Sequence, residues 1–393
     1  MNKEQLSKEF RNHFKSDFER MFFAPGRINL IGEHTDYNGG HVFPCAITYG
    51  TYALTKRRED KRVQLFSINF PEKGMIQFNI DELEFNKEHT WANYPKGMLR
   101  FIKEDGYEIL SGFDVLFYGN IPNGAGLSSS ASIEMVTGVM IDQLFQLNIP
   151  RIDLVKLGKK VENDFIGVNS GIMDQFAIGM GKKDSAILLD CQTLQYEYSP
   201  IELTDHRIII MNTNKRRELA DSKYNERRRE CEEALSQFQK VIDIQSLGEL
   251  TEEQYEVHKH VITNEVLKKR SKHAVYENQR TLKALRFLKA GDLKMFGRLM
   301  NESHRSLKED YEVTGIELDS LVEASWSQDG VVGARMTGAG FGGCAIAIVE
   351  EKKVPNFIEQ VGKTYHDKIG YQADFYVASI GDGAMEITNE VML

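Results

Sequence analysis

Cysteine is scarce in this sequence, and its spacing offers no pairs. Cys45, Cys191, Cys231 and Cys344 are scattered without a CxxC, so neither a disulfide framework nor a zinc site is expected, and they read as buried thiols of a reducing compartment. Long apolar runs are absent as well. None approaches the roughly 20 residues that a membrane span needs, and the first twenty residues, charged throughout, lack the apolar stretch of a secretory signal. A cytoplasmic chain with no membrane partner is expected. Positive charge is outweighed: 49 Lys and Arg stand against 58 Asp and Glu, a net charge of -9, which disfavours a nucleic-acid partner. The densest basic run, Arg227 to Arg229 behind Lys215 to Arg217, is interleaved with Glu218, Glu226, Glu230, Glu232 and Glu233 and reads as a solvated helix laced with i,i+4 pairs. No repeat, low-complexity tract or coiled-coil heptad is present.

What the chain does have is an ordinary globular balance, 41% hydrophobic and 27% charged over 393 residues, too long for one core and suited to two domains. Residues 5–20 carry helical character, followed by β-like runs at Met21–Ala24, Val42–Ile47, Thr51–Leu54, Val63–Ile68 and Met75–Ile80. Helical patterns follow at 92–104, 129–147 and 153–166, with a strand at Phe113–Tyr118. Strand-like Ala186–Leu189 and Ile208–Met211 precede a helix-rich, charged region from about 217 to 308. Strand-like Ala345–Val349, helix-like Val354–Lys368 and strand-like Phe375–Val377 close the chain. This is an α+β pattern rather than a regular βαβ alternation. We expect a division near residue 185, into 1–185 and 186–393, although no Pro/Gly-rich linker marks it.

Three stretches carry chemistry. Residues 122–132, PNGAGLSSSAS, follow a strand and open a helix. Glycines admit close backbone approach, and the free N–H groups and positive dipole end of a helix N-terminus suit a phosphate. No GxxxxGK[ST] is present, so this is not a Walker A loop; taken alone, a Ser-capped turn would serve as well. A second glycine-rich stretch, GARMTGAGFGGC at 333–344, lacks the acidic residue that a dinucleotide fingerprint wants about 20 positions on. The third, APGRINLIGEHTDYNGG at 24–40, sets Arg27, Glu33, His34 and Asp36 among apolar residues, as a polyol site requires, because each buried hydroxyl needs a polar partner. For His34, a structural hydrogen bond outweighs a metal role.

Together these stretches resemble the GHMP kinase superfamily. Its PxxxGLxSSA phosphate loop is matched from Pro122 to Ala131 and its C-terminal glycine loop from Gly338 to Gly343, while GRxNLIGEHTDYxGG, here Gly26 to Gly40, is characteristic of its galactokinase family. Further matches lie at 171–175 (GIMDQ) and from Asn212 to Cys231, so the resemblance spans about residues 20 to 350.

The resemblance implies a two-domain α+β GHMP fold, its N-terminal domain similar to ribosomal protein S5 domain 2, with the active site in the cleft between domains. It implies ATP as co-substrate, Mg²⁺, galactose as the other substrate, and a monomer. By position, Asp174 and Arg27 would flank the hydroxyl that is phosphorylated, and Glu33, His34, Asp36 and Tyr224 would hold the sugar. Gly124, Gly126, Leu127, Ser128, Ser129, Ser130 and Ala131 would cradle the nucleotide, with Trp91 at the adenine, where a core tryptophan is an equal alternative. Ser130 and Glu162 would bind the metal. The GEHTDY signature disfavours mevalonate as substrate, whereas N-acetylgalactosamine and arabinose stay open. Non-catalytic sugar- and ATP-sensing homologues lose residues of the serine loop; here Ser128 to Ser132 is intact, which favours turnover.

Overall fold

The short β runs after residue 20 pair into one sheet, and the later ones into a second. The structure, a computed structural model, describes residues 1–122, 125–215 and 220–390, without the side chains of residues 220 and 221. The strands are β1 (Arg20–Asn29), β2 (His41–Val42), β3 (Pro44–Arg57), β4 (Arg62–Ser67), β5 (Ile76–Asn79), β6 (Phe113–Gly119), β7 (Ser185–Asp190), β8 (Tyr196–Pro200), β9 (His206–Asn212), β10 (Val331–Thr337), β11 (Cys344–Glu350), β12 (Asp374–Ala378) and β13 (Met385–Glu386). The first sheet has the order β13-β1-β3-β6-β4-β5, the second β10-β11-β9-β12, and a small third sheet the order β2-β7-β8. Every pair is antiparallel except β4 with β6. Strand β13, the last in the described residues, thus returns to the sheet of β1.

The helices are α1 (Lys3–Phe14), α2 (Asn93–Glu104), α3 (Ser129–Phe145), α4 (Arg151–Lys160), α5 (Met173–Met180), α6 (Ala220–Phe238), α7 (Glu252–His258), α8 (Glu265–Lys289), α9 (Leu293–Ser306), α10 (Gly315–Trp326) and α11 (Val354–Ile369). Helices α2 to α5 supply Met98, Leu99, Met135, Val139, Leu154 and Phe176 to a core shared with Phe22, Val63 and Val115 of the first sheet. On its other face Leu6 and Phe10 of α1 pack with Met21, Leu54 and Leu116. In β9 and β11 the period of two sorts one continuous apolar run onto two faces. Ile209, Met211, Ala345 and Ala347 join the core under α10 and α11, whereas Ile208, Ile210, Ile346 and Ile348 join Ile28, Leu30, Ile31 and Phe43 from the N-terminal half. This second, shared core seats the two halves together. Removing each Ile there from water contributes on the order of 2 kcal/mol.

Several elements differ from expectation for physical reasons. The first helix stops at Phe14 rather than 20, because Lys15 adopts a left-handed conformation (φ 57°) and its N–H closes on Arg11. The runs at 42–47 and 51–54 lie mostly in one long strand, β3, with Val42 in β2. Strand β1 extends five residues further than its apolar run, through a register shift between Pro25 and Arg27. A side chain at Gly26 would stand 2.7 Å from the Leu127 carbonyl, so glycine lets β1 press against the 125–128 loop. The expected helix 153–166 changes at Val161 into a π-helical turn, Val161–Ile166, a widening often found at functional sites.

Candidate active site

Beneath the two glycine loops lies a cavity of about 310 Å³, lined by Arg27, Glu33, His34, Asp36, Glu162, Asp174 and Tyr224 together with residues 125–130 and Gly338. Arg27 reaches it from the bulged end of β1 and is 5% exposed. Its guanidinium forms a fork with Asp174, Nε to Oδ1 at 2.9 Å and Nη2 to Oδ2 at 2.9 Å, while Nη1 donates to the Gly126 carbonyl at 2.8 Å. Asp174 stands in the first turn of α5 and also accepts from the Ser128 hydroxyl. Such charge-assisted, bidentate contacts are the strong ones. Ser128 holds a left-handed conformation, φ 63°, at the start of α3, a strain of the kind found at functional sites.

Ser130, two residues into α3, donates to Glu162 Oε1 at 2.7 Å. Burial raises the Glu162 carboxyl above its ordinary range, and Asp174's charge adds to the rise, while Ser170, Ser130 and Gln175 oppose it. Among the described residues no cluster of three or more His, Cys, Asp or Glu could cage a metal. One buried carboxylate and one hydroxyl are nonetheless hard oxygen donors of the kind that suits Mg²⁺ carried on phosphates.

On the opposite wall, Glu33 Oε1 accepts from the Gly338 N–H at 2.7 Å and approaches Arg335 Nη1 at 3.4 Å. Asp36 faces Gly171 so closely that a side chain there would meet Asp36 Oδ2 at 1.7 Å. Burial, then the nearby charges of Asp174 and Glu33, push the Asp36 carboxyl up to about 6 despite the N–H groups of Tyr37 and Asp36 itself. His34 has both ring nitrogens engaged by protein groups, Nδ1 with the Tyr37 hydroxyl at 2.8 Å and Nε2 with the Ala339 carbonyl at 3.2 Å. Burial pushes it down to about 3. It is therefore neutral, with Nε2–H donating to Ala339 and Nδ1 accepting from Tyr37. The Tyr224 ring packs against His34 in a tilted contact and edge-on against Tyr37, with ring centroids at 5.6 and 5.4 Å.

The structure brings most of the sequence-expected residues to one place. Leu127, Ser128, Ser129 and Ser130 line the cavity with Gly126, whereas Ala131 is fully buried beneath the loop. Gly124 lies outside the described residues. Trp91 lines an adjoining cavity of about 220 Å³ with Phe70, Tyr94 and Phe117, which shares Ile121, Ser129 and Ser130 with the first. Its buried Nε1 finds no hydrogen-bond partner among the described residues. Sequence reading missed the Ser128 contact to Asp174 and the support of Glu33 by Arg335. Neither carried a signal in the sequence: Arg335 stands outside the matched glycine loop of 338–343, and both contacts form only in the fold.

Comparison with known proteins first defines the class. The GHMP kinases N terminal domain matches residues 93–182 and the GHMP kinases C terminal domain residues 283–367, so the fold is that of the GHMP kinases. A crystal structure of mevalonate kinase shares that fold, with a TM-score of 0.66 at 20% identity over 93% of this chain and all of the other. The galactokinase galactose-binding signature matches residues 8–57. Galactokinase of Clostridium beijerinckii is 59% identical over 382 residues, 97% of this chain and 98% of that protein; galactokinase of Lactiplantibacillus plantarum is 58% identical over 98% of this chain and 100% of its own. The crystal structure of Lactococcus lactis galactokinase complexed with galactose superposes with a TM-score of 0.95 at 56% identity, covering 97% of this chain and 99% of the other. The chain belongs to the galactokinase family. Among its described residues, no helix is long and apolar enough to cross a membrane.

Proposed function

We propose that this chain transfers the γ-phosphoryl group of ATP to the anomeric O1 hydroxyl of α-D-galactose, giving galactose 1-phosphate and ADP. The observation that carries the reading is the Arg27–Asp174 fork, set between the serine loop and the carboxylates Glu33 and Asp36 in one cavity. The sugar hydroxyls donate to Glu33 and Asp36 and pack against Tyr224. Carboxylates suit this role because each oxygen accepts from a hydroxyl, and an epimer that leaves one unpaired costs on the order of 1–3 kcal/mol. The O1–H replaces Ser128 as a donor to Asp174, which orients it and accepts its proton. As the bond from O1 to phosphorus forms, the bond from phosphorus to the ADP oxygen breaks, and Arg27 stabilises the charge on the transferring group.

The N-terminal N–H groups of α3 and the residues of the serine loop hold the phosphates, and the aromatic cavity at Trp91 takes the adenine, whose ring nitrogens can accept from the orphaned Nε1–H. Ser130 and Glu162 would hold Mg²⁺, which when bound neutralises charge on the phosphates. Within this reading the chain divides near residue 185 and is cytoplasmic; the four free thiols fit a reducing compartment. An ADP-release assay across galactose, glucose, N-acetylgalactosamine, arabinose and mevalonate tests it. We expect galactose to exceed glucose in kcat/KM by at least about tenfold. Equal values for the two sugars, or no ADP with any of them, contradict the reading.

A further inference from the structure

Glu33, the carboxylate that holds the sugar if the proposed function is right, sits in the irregular part of the connection between β1 and β2, ahead of a 3-10 turn at Asp36–Asn38. Its support comes from the other half of the chain. Glu277 of α8 is fully buried, and its Oε1 accepts from the backbone N–H groups of Gly32 at 2.9 Å and Glu33 at 3.3 Å and from the Ser303 hydroxyl at 2.5 Å. Arg335 of β10 is fully buried too. Its Nη1 donates to the Asn29 carbonyl at 2.9 Å and reaches Glu33 Oε1 at 3.4 Å, and its Nε donates to Ser303 Oγ at 3.2 Å.

Two carboxylates thus share one arginine, with Arg280 on the far side of Glu277 at 2.9 Å completing a balanced set of four charges. Burial would raise Glu277, yet Arg280, then His273 and Arg335, hold it down to about 2. It stays ionised and can accept three donors on one oxygen. Burial raises Glu33 as well, opposed first by Arg335 and then by Arg27. Buried ion sets of this kind are weak stabilisers, because desolvation cancels most of the attraction. Their geometry is better explained by what they orient than by stability.

We propose that Arg335 and Glu277 are positioning residues for sugar recognition: from the C-terminal half they fix both the backbone and the carboxylate of Glu33 so that it faces the cavity. Sugar affinity then depends on the two halves being seated together, and nucleotide affinity does not, since neither residue lines the cavities at the serine loop or at Trp91.

The test uses the full chain with Arg335→Lys, which keeps the cation and loses the guanidinium's spread of donors to Ser303, Asn29 and Glu33, and Glu277→Gln, which keeps an acceptor and loses the charge. Steady-state kinetics and calorimetric titration of galactose without nucleotide are measured on each. We expect KM and Kd for galactose to rise about tenfold or more, with KM for ATP within about twofold of wild type. Ser303→Ala, which removes the hydroxyl joining the two while leaving all charges, carries the test if either variant fails to fold; its expected rise is about threefold, with the same selectivity. Unchanged galactose affinity in folded variants overturns the proposal. So does an equal rise in both KM values, which marks general loosening. Galactose turnover by the wild type is the control for the proposed function; its absence would refute that reading alone, and the variant-to-wild-type ratio is then taken on the sugar that the chain does phosphorylate.

Discussion

Galactose binding should weaken steeply when the pH falls below 6, because the site keeps one of its acceptors close to protonation. Asp36 carries a carboxyl raised to about 6 by burial, the charge of Asp174 and that of Glu33. A sugar hydroxyl donates to the ionised form, while a protonated Asp36 offers one oxygen fewer and turns a donor toward a donor. With the acid form binding poorly, apparent Kd scales as 1 + 10^(6 − pH). That factor is about 1.1 at pH 7 and about 11 at pH 5, a tenfold loss. The sign follows from the proton count: the free site holds more protons than the bound one, so acid favours the free state. Glu33, also raised by burial, acts in the same direction. His34 is neutral across this range, since burial holds it near 3. Calorimetric titration of galactose between pH 5 and 7.5, without nucleotide, reads the slope, and Asp36→Asn should bind more weakly at pH 7 and respond less to acid. A Kd that is flat from pH 7 to 5 in the wild type, or an equal slope in Asp36→Asn, would refute the reasoning.

Asp174→Asn keeps the shape of the group but cannot accept a proton at neutral pH; we expect kcat to fall roughly 10²-fold or more with the thermal midpoint and nucleotide affinity nearly unchanged, and near wild-type kcat in the folded variant would leave Asp174 a positioning role only. Ser130→Ala and Glu162→Ala should raise the Mg²⁺ concentration for half-maximal rate by about tenfold while galactose still binds; Mg²⁺ titrations that match wild type would remove both from the metal site. Glu134, fully buried on α3, accepts from Gln175 Nε2 at 2.9 Å, and the other oxygen of each group has no partner among the described residues, so a proton on Glu134 supplies the missing donor. Burial and the charge of Glu162 keep that carboxyl well above its ordinary 4.5, so the unfolded chain sheds the proton first, and this contribution to stability is present below about 4.5 and declines by about 1.4 kcal/mol per pH unit above it. Glu134→Gln cannot titrate and should match or exceed wild type in urea unfolding at pH 8 while losing that advantage at pH 4; an equal deficit at both pH values would show that Glu134 is ionised in the fold.

Much of the site was legible because its chemistry is concentrated in short stretches. Arg27, Glu33, His34 and Asp36 share seventeen residues with glycines and apolar neighbours, and the serine loop announces a helix start, so residue type and spacing were enough to mark them. Asp174 and Glu162 looked like ordinary helix acids until the resemblance placed them. Glu277 and Arg335 had no such signal: one lies amid the charges of α8, and neither touches the loop it supports until α8 and β10 pack against β1 and its following loop. The tautomer of His34 was hidden for the same reason, since Tyr37 and the Ala339 carbonyl meet it only in the fold. In the scaffold, apolar periodicity located β4, β5, β6 and α2 within a residue or two. It missed β8, whose residues are mostly exposed, and β10 and α10. It also could not show that α4 widens into a π-helical turn at Glu162, because a single widened turn is too short to register as a change of apolar period.

The central claim is that this cavity phosphorylates the anomeric oxygen of galactose. Incubating the purified chain with ATP, Mg²⁺ and galactose and following the products by ³¹P NMR tests it most directly. The account predicts ADP and one sugar phosphate in equal amounts, with the phosphorus coupled to the anomeric proton of galactose and no such product from Asp174→Asn over the same interval. Phosphate on any other hydroxyl, or ATP hydrolysed to free phosphate with galactose unchanged, would contradict it.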